Sequence, residues 1–280
     1  LDYNLLFRWF LDLDLESGGL DQSNFSRLRE RLVETDIARR FFDEVVRLAR
    51  KDKLLSSDHF TVDGTLIDAW ASFKSFKRKD DDEPPKPGDG TGMVDFKGEK
   101  RSNATHQSTT DPEAKLMRKG NGQPAKLSYG GHALMENRSG LCVDLLITDA
   151  TLAEHQAARQ LLTRARRRKI HPKTLGADKG YHVKDFVQHL REHNIRPHIA
   201  RIEGRKTPGL DGRTTRPAGY KVSQRKRKRI EEIFGWLKTV GGMRKTRFIG
   251  QTRTQIAAYL SAAAYNLLRI AKLQSAGSAA

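Results

Sequence analysis

The 280-residue sequence predicts an α/β fold, a mixed sheet covered by helices and preceded by a small all-helical region. Three observations carry this reading. Apolar residues recur at helical spacing up to residue 51. Three strand-like segments follow between 59 and 149. A helix–strand–helix–strand alternation then leads into two terminal helices.

The elements follow in order. Leu5, Leu6, Trp9 and Phe10 mark a first helix. Ser23 is placed to cap a second, in which Phe25, Leu28 and Leu32 form a stripe. Ile37, Phe41, Val45 and Leu48 form a third stripe, with spacings of four, four and three. HFTVDGTLID, from residue 59, alternates as a strand. Residues 76–127 are rich in Lys, Asp, Gly and Thr and bury little apolar surface, which predicts a long mobile insertion. LSYGGHALMEN and LCVDLLITD pair as a hairpin turning at Arg138-Ser139-Gly140. A helix over 153–168, strand TLGAD (174–178), a helix over 183–193 and strand IRPHIA (195–200) come next. A basic Gly/Pro loop leads to a helix over 223–238 and a last helix over 254–273. The Ala257–Leu268 helix reads as structure, with its alanine-rich face, suited to close packing, the alternative candidate for a dimer surface.

The formal net charge is +18, with 52 Lys+Arg against 34 Asp+Glu. Such a surplus repels itself unless a polyanion relieves it, so nucleic acid is the expected partner. Residues 1–60 carry ten Lys/Arg and twelve Asp/Glu, whereas residues 201–250 carry fifteen and four. DNA contact is therefore expected in the C-terminal half. Cys142 is the single cysteine, which excludes an intramolecular disulfide and a Cys-rich zinc site and suits the cytoplasm. No apolar run reaches the roughly 18 residues of a membrane span. Nine histidines present no convincing ligand set, although His189 and His193 share i, i+4 spacing.

The acidic residues carry the chemistry. Phosphodiester transfer uses carboxylates that hold two divalent cations about 4 Å apart. Mg²⁺ takes one or two carboxylates per ion, completed by phosphate and water. Asp63 interrupts an apolar strand, where Asp is depleted; the alternative is a strand-end turn. Asp178 ends strand TLGAD, at the edge where open α/β sheets place ligands; the alternative is a turn cap. Asp144 and Asp149 compete for the second position, the latter as a helix cap, and Asp68 is placed near the site. On helix 223–238, Ile230, Ile233, Phe234 and Leu237 form one face. Arg227, Glu231 and Lys238 fall within about 40° of one another along its rim. Glu231 is thus set to reach a site beside the core, unless it only pairs with Arg227 on the surface. The run Gln224-Arg225-Lys226-Arg227-Lys228-Arg229 is suited to gripping phosphates. Trp236 and Tyr181 are candidates for stacking on a base, with core packing the alternative for Trp236.

VDGTLIDAWAS around Asp63, LGADKGYH around Asp178 and SQRKRKRIEEIFGWLKTVGGMRKTRFIG around Glu231 together resemble the DDE transposases of the bacterial insertion-sequence-five group. Arg227, Glu231 and Lys238 match that group's Tyr-x2-Arg-x3-Glu-x6-Lys signature, with Gln224 in the tyrosine's place. YNLLFRWFLDLDL resembles the end of the group's N-terminal helical domain, so that part is expected to be truncated.

The resemblance implies a ribonuclease-H-like core over 58–273, carrying the insertion at 76–127. A helical region over 1–57 precedes it and a tail over 274–280 follows. It implies that Asp63, Asp178 and Glu231 bind two Mg²⁺ or Mn²⁺ ions, and that Arg225, Arg227, Lys228, Lys238 and Lys179 contact DNA. The expected partners are double-stranded terminal inverted repeats and target DNA, met by a homodimer or higher assembly at the nucleoid. A DNA-binding remnant without activity, or a ribonuclease-H-like nuclease without joining activity, are the competing readings.

Overall fold

The computed structural model describes residues 4–14, 16, 18, 21–79, 101–120 and 122–278. Three helices open the chain: α1 (Leu5–Phe10), α2 (Gln22–Glu34) and α3 (Ile37–Lys51). The cap of α2 is Asp21, not Ser23: its Oδ1 accepts the backbone N–H groups of Ser23 and Asn24 at 2.9 and 3.1 Å. Helix α3 turns a different face inward from the expected stripe. Ala38, Phe42, Val45, Val46 and Ala49 are buried, while Ile37, Phe41 and Leu48 are exposed. The buried set packs against the last helix and joins the same core as the sheet.

Strand β1 (His59–Asp68) matches the expected segment end to end. Part of the expected insertion is regular structure. β2 (Phe76–Arg78) pairs with β3 (His106–Ser108), and β4 (Lys115–Met117) joins the main sheet beside β5 (Lys126–Glu136). The signal there is short and polar: the segment is fixed by Phe76, which stacks on His106, and by buried Asp111, whose Oδ1 accepts from the Tyr129 hydroxyl at 2.7 Å. Residues 80–100, also within the expected insertion, lie outside the described residues.

The long antiparallel hairpin of β5 and β6 (Leu141–Asp149) is buried on both faces, which its continuous apolar run requires. Helix α4 (Glu154–Arg167), β7 (Thr174–Ala177), α5 (Lys184–Glu192) and β8 (Arg196–Ile199) follow as expected. Strands β6, β5 and β1 are antiparallel neighbours, and β1, β7 and β8 are parallel neighbours. The order β6-β5-β1-β7-β8, three antiparallel strands continued by two parallel ones with flanking helices, is the ribonuclease-H-like arrangement.

The expected helix over 223–238 begins earlier and is interrupted. After a short α6 (Gly212–Thr215), α7 (Ala218–Lys226) passes through a 3-10 turn at Arg227–Arg229 into α8 (Ile230–Thr239). Ile230, Ile233, Phe234 and Leu237 are buried, as their spacing requires. The final α9 (Gln251–Ser278) lies along edge strand β6. Asn266 bonds both backbone groups of Cys142, and Gln255 bonds Ile147 N and Leu145 O, so side-chain amides satisfy an edge that would otherwise invite another strand. The alanine face is consumed in this packing: Ala258, Ala262 and Ala263 are buried within the chain and are not offered to a second copy.

Candidate active site

The register of β1 with β7 decides where the two aspartates fall. Phe60 stands opposite Leu175 and Thr61 opposite Gly176. Two residues further on, the same offset sets Asp63 beside Asp178, where β7 stops and β1 continues. A cleft opens there, at the carboxyl end of the parallel pair, as expected for an open α/β sheet. Asp63, Gly64, Thr65, His132, Glu154 and Asp178 line it on one side, and Met117, Arg118 and Lys119 on the other.

Each aspartate is held by its own backbone. Asp63 Oδ1 accepts from Gly64 N at 2.8 Å, and Asp178 Oδ1 accepts from Gly180 N at 2.8 Å. Asp178 is therefore a turn cap as well as a cleft residue. One oxygen of each carboxylate is fixed, which orients the second for another partner.

Asp63 is raised to about 6, chiefly by burial with the charges of Asp178 and Glu231 adding to it, while the Gly64 N–H and Arg227 oppose the rise. Glu231 thus stands within electrostatic reach of Asp63, although it is itself exposed. The site also contains an acid not singled out by sequence. Glu154, in the first turn of α4, is raised to about 7 by desolvation and by the charges of Asp178 and Asp63. An acid at a helix start ordinarily complements the helix dipole, so its position in the sequence gave no reason to suspect a shared site.

Gly64 permits this approach: a Cβ there would lie 2.9 Å from Glu154 Oε1 and 3.1 Å from His132 Nδ1. Two buried polar atoms, His132 Nδ1 and the Tyr181 hydroxyl, have no hydrogen-bond partner. Tyr181 is fully buried, its hydroxyl pushed upward by desolvation and by Glu154, Asp63 and Asp178, so it is not available to stack on a base.

The remaining expected residues separate into two groups. Arg227 lies near Asp63 and is oriented by Gln224, whose Oε1 accepts from Arg227 Nε at 3.1 Å. Gln224 in the signature's tyrosine position thus positions the arginine. Lys238 Nζ donates to Thr65 Oγ1 at 2.6 Å, and desolvation together with Lys119 pushes it below its usual range. Lys179 is exposed immediately after Asp178. Arg225 and Lys228 are exposed on the α7–α8 rod. Trp236 meets Tyr265 edge-on, with ring centroids 5.8 Å apart, as a packing residue.

The competing acids are occupied elsewhere. Asp144 is buried between Arg164 and Arg168, at 3.2 and 2.8 Å. Asp149 caps the turn at Thr151, accepting from its N and Oγ1 at 2.7 and 2.6 Å, and does not cap α4. Asp68 is paired with Lys126 at 2.7 Å.

The cleft fits divalent cations. Asp63 and Glu154 are desolvated and feel neighbouring negative charge, and two buried polar atoms beside them are unpartnered; a hard cation relieves both conditions. Among the described residues, one set of three His, Cys, Asp or Glu has all its ligand atoms within 4.8 Å: His189, Glu192 and His193 on α5. The sequence spacing alone had shown only the two histidines. This set is poorly suited to a cation, because Glu192 accepts from Gln188 and burial with Arg159 pushes His189 down. Asp63, Asp178 and Glu231 are spread more widely.

Among the described residues no helix is long and apolar enough to cross a membrane. No curated protein matches the sequence. Among solved structures, the chain is similar at 10% identity to the piggyBac transposase in a synaptic complex with hairpin DNA, with a TM-score of 0.38 and coverage of 88% of this chain and 55% of that one. It is similar at 10% identity to the Mos1 transposase in a paired-end complex, with a TM-score of 0.27 and coverage of 94% and 69%. The chain therefore spans about half the length of the piggyBac protein. Residues 89–267 match the model of the transposase DDE domain, a span that holds Glu154, Asp178 and Glu231 and begins after Asp63. That span is more than half of the chain, which therefore belongs to the family of DDE transposase domains.

Proposed function

We propose that this chain is the DNA-cutting and strand-joining core of a transposase of the bacterial insertion-sequence-five group. In this reading Asp63, Asp178 and Glu231 hold two Mg²⁺ or Mn²⁺ ions. The observation that carries it is the acidic cleft where the β1–β7 register sets Asp63 beside Asp178, and where Asp63 feels the charges of both Asp178 and Glu231, residues far apart in sequence. The substrates are the terminal inverted repeats of the element and then target DNA, brought together by a homodimer or larger assembly.

Bound divalent cations supply an activated oxygen nucleophile and relieve charge on the departing oxygen. The chain's own residues prepare the rest. The backbone N–H groups of Gly64 and Gly180 fix the rotation of the two aspartates before substrate arrives. In the first step the phosphorus–oxygen bond at the element's end breaks, with water adding to phosphorus and the 3′-oxygen leaving as a hydroxyl. In the second, that 3′-hydroxyl attacks a target phosphate and displaces the target's own 3′-oxygen.

Arg227, with Nε held by Gln224, keeps its terminal nitrogens for a phosphate. Lys238 is a partly desolvated cation crowded by Lys119, which an incoming phosphate relieves. Replacing Arg227 or Lys238 with Ala is expected to weaken binding to an end-repeat duplex by roughly tenfold. Each should also lower the salt slope by about one. Fluorescence anisotropy across a salt series measures both, and an unchanged slope removes that residue from phosphate contact.

The proposed activity is tested by incubating the chain with a labelled terminal-repeat duplex, with and without Mg²⁺. Strand nicking that needs the ion supports it, and no nicking under any condition leaves a DNA-binding remnant. Supplying pre-cut ends with a target plasmid then separates a transposase, which joins them, from a nuclease, which does not.

A further inference from the structure

We propose that Glu154 is a fourth carboxylate of the cation site, a direct ligand that raises divalent-ion affinity, beyond the three acids of the signature. The inference rests on the function proposed above. Its basis is geometric. Glu154 as a whole residue is exposed, yet its carboxylate bridges the two aspartate-bearing segments. The Cβ position of Gly64, next to Asp63, lies 2.9 Å from Glu154 Oε1. The Cβ position of Gly180 lies 3.3 Å from Glu154 Oε2 and 3.1 Å from Asp178 Oδ1. Both segments carry glycine where Glu154 approaches, so a larger residue at either place would push its carboxylate away.

A second, independent observation points to a ligand at the same place. His132 Nδ1 is buried and unpartnered, its residue lines the same cleft as Glu154, and it lies 3.1 Å from the Gly64 Cβ position that Glu154 Oε1 approaches to 2.9 Å. The Tyr181 hydroxyl is also buried without a partner, and it senses the charges of Glu154, Asp63 and Asp178 together. A purely structural role for Glu154 would call for a cation, a cap or a donor. The helix cap lacks a side-chain bond, and the neighbours that set the charge environment of Glu154 are acids. A carboxylate lining the same cleft as two others, with unpartnered buried polar atoms beside them, is the arrangement a divalent cation completes.

The test is Mn²⁺ binding to the DNA-free full chain, read from the electron paramagnetic resonance of free Mn²⁺, for the unaltered protein, Glu154→Gln, Glu154→Asp and Asp63→Asn. Glu154→Gln is expected to raise the Mn²⁺ dissociation constant at least tenfold, and Glu154→Asp to raise it less. The metal-free melting temperature of Glu154→Gln should stay level or rise, because a repelled charge has been removed. DNA affinity without metal should be unchanged. Mn²⁺ binding by a folded Glu154→Gln protein equal to that of the unaltered chain overturns the inference; if Asp63→Asn has meanwhile lost binding, the three-acid reading survives. Absence of Mn²⁺ binding by the unaltered chain overturns both.

Discussion

Replacing Asp63 or Asp178 with Asn, or Glu231 with Gln, is expected to lower cleavage of a terminal-repeat duplex by at least about a thousandfold, which is roughly 4 kcal/mol of transition-state stabilisation. Metal-free DNA binding should be preserved within a few-fold. The separation follows from where the charges lie. Asp63 and Asp178 line the cleft and Glu231 stands exposed within electrostatic reach of Asp63, whereas Lys238 bonds Thr65 of the lining and Arg225 and Lys228 are exposed on the α7–α8 rod. Removing a carboxylate takes away a cation ligand but no phosphate contact. The same change relieves repulsion, so the metal-free variants should be at least as stable as the unaltered chain. Gel-shift and nicking assays on the same preparations check both halves. Any one variant that cleaves at a normal rate removes that residue from the proposed set.

The second large effect is on stability and lies away from the cleft. Asp144, on β6, is buried beneath α4 with two arginines, Arg164 and Arg168, and Arg168 continues to Asp43 of α3 at 2.7 Å. The cluster links the sheet to α3 and α4. Asp144→Ala would leave two guanidinium groups in a largely dry place without their acid, a change that typically costs about 3–5 kcal/mol. Urea unfolding should show it as a lower midpoint with a similar slope. A loss under about 1 kcal/mol would mean that water reaches these arginines and that the cluster does not join the layers. This acid was a reasonable alternative to Asp178 in the sequence, because a lone Asp in an apolar strand fits either a cation site or a buried ion pair. Only Arg164 and Arg168, one turn apart at the end of the following helix, distinguish the two, and nothing in β6 itself announces that they fold over it.

The strands were the most legible part of the fold. β1 alternates, β5 and β6 are buried strands around a Gly-containing turn, and β7 ends on an Asp-Lys-Gly turn; each pattern follows from the pleat and from burial on one face or two. The buried face of Ile230, Ile233, Phe234 and Leu237 was legible as well, because four apolar residues at helical spacing fix the rotation of a helix. Helix α3 was misread by one step around its axis. Phe41 and Phe42 are adjacent, and periodicity cannot say which of two neighbouring aromatic residues faces a partner, here α9, that arrives more than two hundred residues later. The short strands β2, β3 and β4 were hidden because their residues are polar and their order comes from tertiary contacts such as Tyr129 with Asp111. Glu154 was hidden for a similar reason. An acid in the first turn of a helix is commonplace, and its meaning depends on Gly64 and Gly180, two glycines from other segments that leave room for it.

The most direct test of the account is the anomalous scattering of Mn²⁺ in crystals of the full chain bound to a terminal-repeat duplex. The account predicts two manganese peaks about 4 Å apart, with oxygens of Asp63, Asp178 and Glu231 among their ligands and a DNA phosphate beside Arg227. Manganese absent from that cleft, or held only by His189, Glu192 and His193, would contradict it.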